Sequence, residues 1–448
     1  MISFRSAFKS AFSRILFRRS RPARHFRRVR MFNLALAGMA MLAIGGQSEA
    51  GELATTPFEP TPIKIAVDDV PKPTPDNSPS KRPKIEPVPE TATLQAPAGF
   101  KVTLFAEGMK QARWLALTPD GDVLLAQSRE EKISILRDTN GDGSVDSTTT
   151  FADKGNGVNV PFGMAFVDGY FLLGNTNEVR RYPWKSGQLK LDGTGEQITE
   201  LPGGGYNQHW TRNVIAAPKG DWIYVSVGSQ SNVDVEEDPR AAVLRMRPDG
   251  ADRTVFARGL RNPVGLAIHP ASGELYATVN ERDRLGDDLV PDYLTSVKEG
   301  GFYGWPYAYL KPENLDPRRM KDGKSERPDL AEKTITPEVL FQAHSAALGV
   351  CFSSGDKFPG KYRKGAFVAF RGSWNRNAGT GYKIVFVPFD QNGKPQGHYE
   401  DFVKGFLIDE SEPSTWGRPV GVLMHTDGSL LFTEEENGRI YRVSYSAQ

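Results

Sequence analysis

Six short polar segments hold most of the side chains able to do chemistry. The first is Asn207-Gln208-His209-Trp210-Thr211-Arg212. An imidazole has the ordinary pKa nearest neutrality, so it is suited to taking a proton from a hydroxyl at working pH. Of six histidines, His25 lies in a basic leader and His269 and His425 fall at hairpin turns. His209 is therefore the first candidate base and His344 the next; a hydrogen-bonded structural histidine is the plain alternative. The second segment, Gly259-Leu260-Arg261-Asn262-Pro263, carries a rigid, permanently charged fork that suits carboxylates or bridges loops. The third runs from Asn280 to Asp288 and includes Glu281, Arg282, Asp283 and Arg284. Carboxylates mixed with loop carbonyls suit a hard cation such as Ca²⁺, although a solvated charged loop has the same composition. Behind it, Gly300-Gly301-Phe302-Tyr303-Gly304-Trp305-Pro306 reads as a rigid aromatic turn. The fourth and fifth segments, Arg371-Gly372-Ser373-Trp374-Asn375-Arg376 and Trp416-Gly417-Arg418-Pro419, set cations beside tryptophan. That pairing suits a planar, polyanionic aromatic ligand. The sixth, Asp138 to Asp146, matches the front half of an EF-hand loop, but Thr149 stands at the twelfth position and no helices flank it. It reads as a turn with a capacity for Ca²⁺.

The elements that carry these segments recur. An apolar pair, an alternating strand, a Pro/Asp/Gly turn and a second apolar strand appear as WLALTPDGDVLLAQ from Trp114 and FGMAFVDGYFLLGN from Phe162. The pattern returns from Asn213, Val264, Leu348 and Val420, and a third strand such as KISILRD, EVRRYPW or RIYRVSY often follows. Alternation around tight turns predicts β-hairpins. Repeats of this length with about four strands each predict propeller blades. The expected fold is therefore all-β, a six-bladed β-propeller with four-stranded antiparallel blades over residues 96–448. No amphipathic helix of normal length is expected after residue 95.

Upstream, Arg5 to Arg30 form a basic stretch, Phe32 to Gly46 an apolar one, and Ser48-Glu49-Ala50 a small-residue cleavage pattern. This layout predicts a secretory signal peptide over residues 1–50. The apolar run is short of the roughly 20 residues a spanning helix needs; the membrane is touched only through the leader, if it stays uncleaved. Residues 51–95 are rich in proline without apolar periodicity and are expected to be a disordered linker. The leader also distorts the charge. Residues 1–30 hold ten of the 56 Lys/Arg, and without them 46 face 54 Asp/Glu, a net of −8. An acidic body gives no basis for a nucleic-acid partner. The single cysteine, Cys351, excludes an intrachain disulfide and the CxxC and CxxCH motifs.

The order and spacing of the His209 turn, VSVGSQ through Gln230, GLRNPVGLAIHP, the acidic loop, GGFYGWP and the C-terminal arginine loops resemble the soluble PQQ-dependent glucose/sorbosone dehydrogenase family over roughly residues 97–445. The resemblance implies pyrroloquinoline quinone (PQQ) in a cleft at one end of the propeller, with Ca²⁺ bound to it. It assigns His209 the role of catalytic base and Arg261 that of polarising the quinone oxygen. Arg418 would contact PQQ, with Arg371 in place of a cofactor-binding lysine, and Arg376, Trp416 and Gln230 complete the expected cofactor set. Arg282, Asp283 and Arg284 would offer carbonyls to Ca²⁺. Asp283-Arg284 stands where the glucose enzymes have Gly-Pro, Trp416 replaces a second arginine, and Gln208 replaces an acid; these departures point to the sorbosone-type branch. The implied activity is oxidation of a sugar, sugar aldehyde or alcohol in the periplasm or outside the cell, with electrons passing to an external quinone or cytochrome. A Ca²⁺-dependent lactonase-type hydrolase and a non-enzymatic carbohydrate- or protein-binding propeller are the rival readings.

Overall fold

The structure is a computed structural model that describes residues 53–74 and 78–446. The leader assigned to residues 1–50 lies outside the described residues. Each repeat of the sequence forms an antiparallel hairpin. The pairs are Ala112–Leu117 with Val123–Gln127, Met164–Val167 with Tyr170–Asn175, and Val214–Ala216 with Ile223–Val227. They continue as Pro263–Ile268 with Leu275–Val279, Ala347–Phe352 with Gly365–Phe370, and Pro419–Met424 with Leu430–Glu434. Two further strands extend every hairpin into a four-stranded antiparallel sheet, and six such sheets occur among the described residues. In five sheets the strands follow chain order. In the sixth, the outer strand is Phe100–Ala106, paired with Arg439–Tyr445, so the two ends of the folded chain share one sheet. The fold is of the β-propeller type. The only α-helix among the described residues is Pro328–Ala331, within an excursion between the third and fourth strands of the fourth sheet.

The first strands of successive sheets touch one another, and that of the sixth touches that of the first. The apolar pair opening several repeats explains how they come so close, because its second member is glycine. A Cβ on Gly265 would lie 2.3 Å from the Leu348 carbonyl oxygen, and one on Gly421 would lie 2.4 Å from that of Arg113. A neighbouring hydroxyl stitches each seam. Thr433 Oγ1 accepts from Gly421 N–H at 2.8 Å and donates to the Arg113 carbonyl at 2.8 Å. Thr278 Oγ1 does the same between Gly265 and Leu348. Apolar faces fill the space between sheets; Phe341, Val368, Phe370 and Val385 are wholly buried in one such layer. Cys351 packs against the core, and burial pushes its thiol up to about 12.

The disordered linker expected over residues 51–95 is corrected where that segment is described: it is a strap laid along the sheets. Ala54–Phe58 pairs in parallel with Thr93–Pro97, Ile63 bridges to Tyr399, and Lys84–Ile85 pairs with Ser414–Thr415. Between these points, Thr74 N–H donates to the Leu285 carbonyl at 2.7 Å, and Lys81 N–H donates to that of Trp374 at 2.9 Å. Edge pairing of this kind uses backbone groups, so it leaves no hydropathy period, and it tolerates proline between contacts. The strap's end is core: Leu94 and Ala96 are fully buried. Leu94→Ala is expected to cost about 2–5 kcal/mol of stability, read from the urea midpoint at unchanged slope. A loss under about 0.5 kcal/mol, the size of a surface substitution, would mean that the strap merely rests on the sheets.

Candidate functional site

In an antiparallel hairpin the start of the first strand and the end of the second lie at the same edge. Segments in those positions therefore gather at one end of the sheets, where they enclose a cavity of about 360 Å³. His209, Arg261 and His344 come from before first strands and Arg113 from the start of one, and Arg129, Glu281, Asp283, Arg371, Trp374 and Glu435 come from after second strands.

His209 is oriented by its neighbours. Its Nδ1 lies 2.9 Å from both the carbonyl oxygen and the hydroxyl of Ser229. That hydroxyl donates to the Ser231 carbonyl at 2.6 Å, and a carbonyl only accepts. Nδ1 therefore carries the proton, and Nε2 is left with its lone pair. Burial, then the positive charge of Arg261, hold the imidazolium well below its ordinary range, so His209 is neutral at pH 7.

Arg261, itself buried, is fixed by the carbonyls of Asn232 and Glu281 and by the Asp283 carboxylate, whose Oδ2 lies 2.9 Å from Nη2. Burial would raise the Asp283 carboxyl, but Arg261 and then His344 outweigh it and keep it ionised. His344 stands on the other side, with Nδ1 3.7 Å from Asp283 Oδ1 and Nε2 2.9 Å from the Gly286 carbonyl. Burial disfavours its charged form, yet acceptors at both nitrogens lift its titration above the ordinary value. Glu281 lines the same end; burial pushes its carboxyl up to about 8, and Oε1 has no hydrogen-bond partner. At neutral pH it holds a proton. Asp292 is pushed by burial to about 6 although it accepts the N–H groups of Glu281 and Ala346.

The opposite wall is cationic and aromatic. Arg113 and Arg129 lie over Trp210, 5.0 and 4.8 Å from the ring centre. Glu435, fully enclosed, pairs with both Arg113 and Arg371. Arg113, Arg129 and Glu435 were not singled out by sequence, although Arg129 and Glu435 sit at hairpin positions equivalent to those of Glu281 and Arg371.

Other expected site residues are placed elsewhere. Trp416 does not flank the cavity. It is 2% exposed, packs on Phe406 and donates its indole N–H to the Gly405 carbonyl; its apolar bulk belongs to the core. Arg418 lies behind the wall and donates to the carbonyls of Arg371 and Gly372, so it supports the loop that carries Arg371. Arg376 turns outward to Asp288 and the Asp287 carbonyl. Gln230 is exposed, its N–H held by Glu236. Arg282 is buried against Asp316 and Arg284 is tied through its N–H to Asn375; neither lines the cavity. In the Asp138–Asp146 turn, Asp138 accepts from Gly141 and Gly143 and Asp146 from Thr139 and Asn140, so both carboxylates close on their own loop.

The Arg282–Arg284 segment does not fit Ca²⁺. The Asp283 carbonyl accepts from Asn232 Nδ2 and from the Arg282 guanidinium, which also faces the Arg284 carbonyl. A hard dication takes six to eight oxygen ligands, and among the described residues no group of three or more His, Cys, Asp or Glu side chains is arranged to hold a metal.

A family model described as TrAA12-like matches residues 94–291 and 313–446. A curated pyrroloquinoline quinone-dependent sugar dehydrogenase of Hypocrea jecorina is 24% identical over 404 residues, covering 78% of this chain and 89% of that protein. The holo form of the pyranose dehydrogenase PQQ domain from Coprinopsis cinerea superposes with a TM-score of 0.64 at 19% identity, over 81% of this chain and 100% of that one. A calcium structure of the Trichoderma reesei AA12 enzyme gives a TM-score of 0.64 at 19% identity, over 88% and 100%. At these identities the structural likeness is one of fold.

Proposed function

This chain belongs to the TrAA12-like family, and from that premise we propose that it is an exported PQQ-dependent dehydrogenase acting on a sugar, a sugar aldehyde or an alcohol. The six sheets are read as six blades, the leader as a signal peptide, and the compartment as the periplasm or the outside of the cell. One observation carries the reading. A neutral imidazole whose Nε2 keeps its lone pair, met only by the Gln208 amide at 3.5 Å, shares a cavity with Arg113, Arg129, Arg261 and Arg371 and with Trp210 and Trp374.

The wall fits the cofactor's chemistry. PQQ is flat and carries three carboxylates, and planar guanidinium groups pair with such groups two bonds at a time. Arg113, Arg129 and Arg371 would hold it at one end and Arg261 would meet it at the other. When bound, the quinone supplies a two-electron oxidant able to accept hydride from a carbon that bears a hydroxyl. The protein's part is orientation and proton transfer. His209 Nε2 takes the hydroxyl proton as the carbon is oxidised, and the Ser229 carbonyl steadies the imidazolium through Nδ1–H. Arg261, held by Asp283, keeps a fixed positive charge beside that step. An external quinone or cytochrome would then take the electrons.

Reconstitution tests this. Purified protein is titrated with PQQ by absorbance, and dye reduction is then followed over a panel of sugars, aldehydes and alcohols. Micromolar or tighter binding with sugar-dependent dye reduction is expected. Protein that binds no PQQ at micromolar concentration, yet binds a glycan or opens a lactone, would replace the dehydrogenase with one of the rival readings.

A further inference from the structure

The carbonyl oxygens of the Arg282–Arg284 loop already face N–H donors, that of Arg282 facing Val290 N–H at 3.5 Å. The Asp283 carbonyl is 3.0 Å from Asn232 Nδ2 and also accepts from Arg282 Nη1, which lies 3.5 Å from the Arg284 carbonyl. This guanidinium is not free to leave, because Arg282 and Asp316 form an ion pair in which each side chain is 3% exposed. Inside the cavity, the Asp283 carboxylate is shared between Arg261 and His344. Both oxygens of Asp292 accept backbone N–H groups. Of the three carboxyls that line this end, only Glu281 leaves an oxygen, Oε1, without a hydrogen-bond partner. A calcium ion would find two open side-chain oxygens at this end, Glu281 Oε1 and Asn262 Oδ1, far short of the six to eight it takes, and would sit near Arg261 and Arg282, whose charges repel it.

We propose that this chain binds its quinone without calcium, because the Arg282 guanidinium takes up the carbonyl pair that would face a divalent ion and Arg261 supplies the positive charge at the cavity. The proposal rests on the PQQ reading above. Arg282 is a positioning residue, since it lies behind the wall. It donates to the Asp283 carbonyl and faces that of Arg284 at 3.5 Å, while the Asp283 carboxylate meets Arg261.

The test separates the two readings. Protein dialysed against EDTA is titrated with PQQ in excess EDTA and, in parallel, in millimolar CaCl2, and bound metal is counted by atomic emission. The expected result is dissociation constants agreeing within about twofold, an equal rise in melting temperature on adding PQQ, and substoichiometric calcium. Binding at least about tenfold weaker in EDTA and restored by CaCl2 would overturn the inference while leaving the PQQ reading intact. Absence of PQQ binding in both buffers would overturn both. A second arm uses Arg282→Ala together with Asp316→Ala, which removes the ion pair as a unit and leaves neither charge buried alone. With the guanidinium gone, calcium is expected to tighten PQQ binding by about tenfold. If that variant binds PQQ with the same weakened affinity in both buffers, Arg282 is structural only and its assignment fails. Should the double variant not fold, the wild-type arm decides.

Discussion

Replacing His209 with alanine is expected to lower kcat by about 10²- to 10⁴-fold and to leave the PQQ dissociation constant within about twofold. The split follows from where the ring is held. Nδ1 is occupied by Ser229, so the imidazole acts through Nε2 alone, and the carboxylates of the cofactor are assigned to the arginines. The pH profile should show the same group. His209 is kept from protonating first by burial and then by Arg261, so the acid limb of kcat lies below pH 6.5 and the rate is flat through neutrality. Stability moves with the same sign. A base whose folded pKa is depressed binds fewer protons than it does unfolded, so its contribution is present above about pH 6.5 and is lost as pH falls. Arg261→Gln removes the neighbouring charge and should carry the acid limb upward. An alanine variant with undiminished turnover would end the base assignment. So would an acid limb at or above pH 6.5 that Arg261→Gln leaves in place.

How far this site was legible in sequence depends on what each residue's neighbours are. Hairpin alternation is local, so all six repeats are found where the sequence puts them, and the glycines of Val264-Gly265 and Val420-Gly421 even mark where adjacent sheets touch. His209 and Arg261 stand out because polar loops that interrupt apolar strands are visible as such. Trp416 and Arg418 illustrate the limit. Tryptophan beside arginine describes a ligand wall and a core corner equally well, and only the packing of Phe406 tells them apart. The strap was missed because its pairing is written in backbone hydrogen bonds, which composition does not record. Arg113 and Arg129 were missed for another reason. They belong to a repeat whose hairpin carries no polar cluster in the sequence; Arg113 lies within the first strand, while Arg129 stands two residues after the second, as Glu281 does. Reading each repeat by hairpin position, instead of by local polarity, would have found Arg129.

That same positional logic makes Glu435 the most informative charge to remove. It follows the second strand of the sixth sheet, is 3% exposed, and bridges Arg113 and Arg371, two of the arginines assigned to the cofactor. Burial opposes its charge, but Arg113, then Arg371 and Arg418, hold its carboxyl at about 2. Its stabilising contribution is therefore present above the ordinary glutamate range and is lost as pH falls towards 2. Glu435→Gln keeps the shape and one acceptor while deleting the charge, and leaves the buried Arg113 guanidinium without its anion. Breaking a buried pair from one side costs about 3–5 kcal/mol, so the ligand-free variant should melt earlier at pH 7. The cofactor responds in the opposite direction. A trianionic ligand entering the variant meets an Arg113 guanidinium without its carboxylate and an Arg371 left only with Glu436 at 3.8 Å, so PQQ should bind tighter by about tenfold, equivalent to about 1.4 kcal/mol. Thermal melts with and without PQQ, together with an absorbance titration, read both effects. A variant that melts earlier and also loses PQQ affinity would show that Glu435 serves by holding Arg113 and Arg371 in place. A variant with unchanged affinity would remove Arg113 and Arg371 from the cofactor's carboxylates and leave Arg129 and Arg261 to carry them.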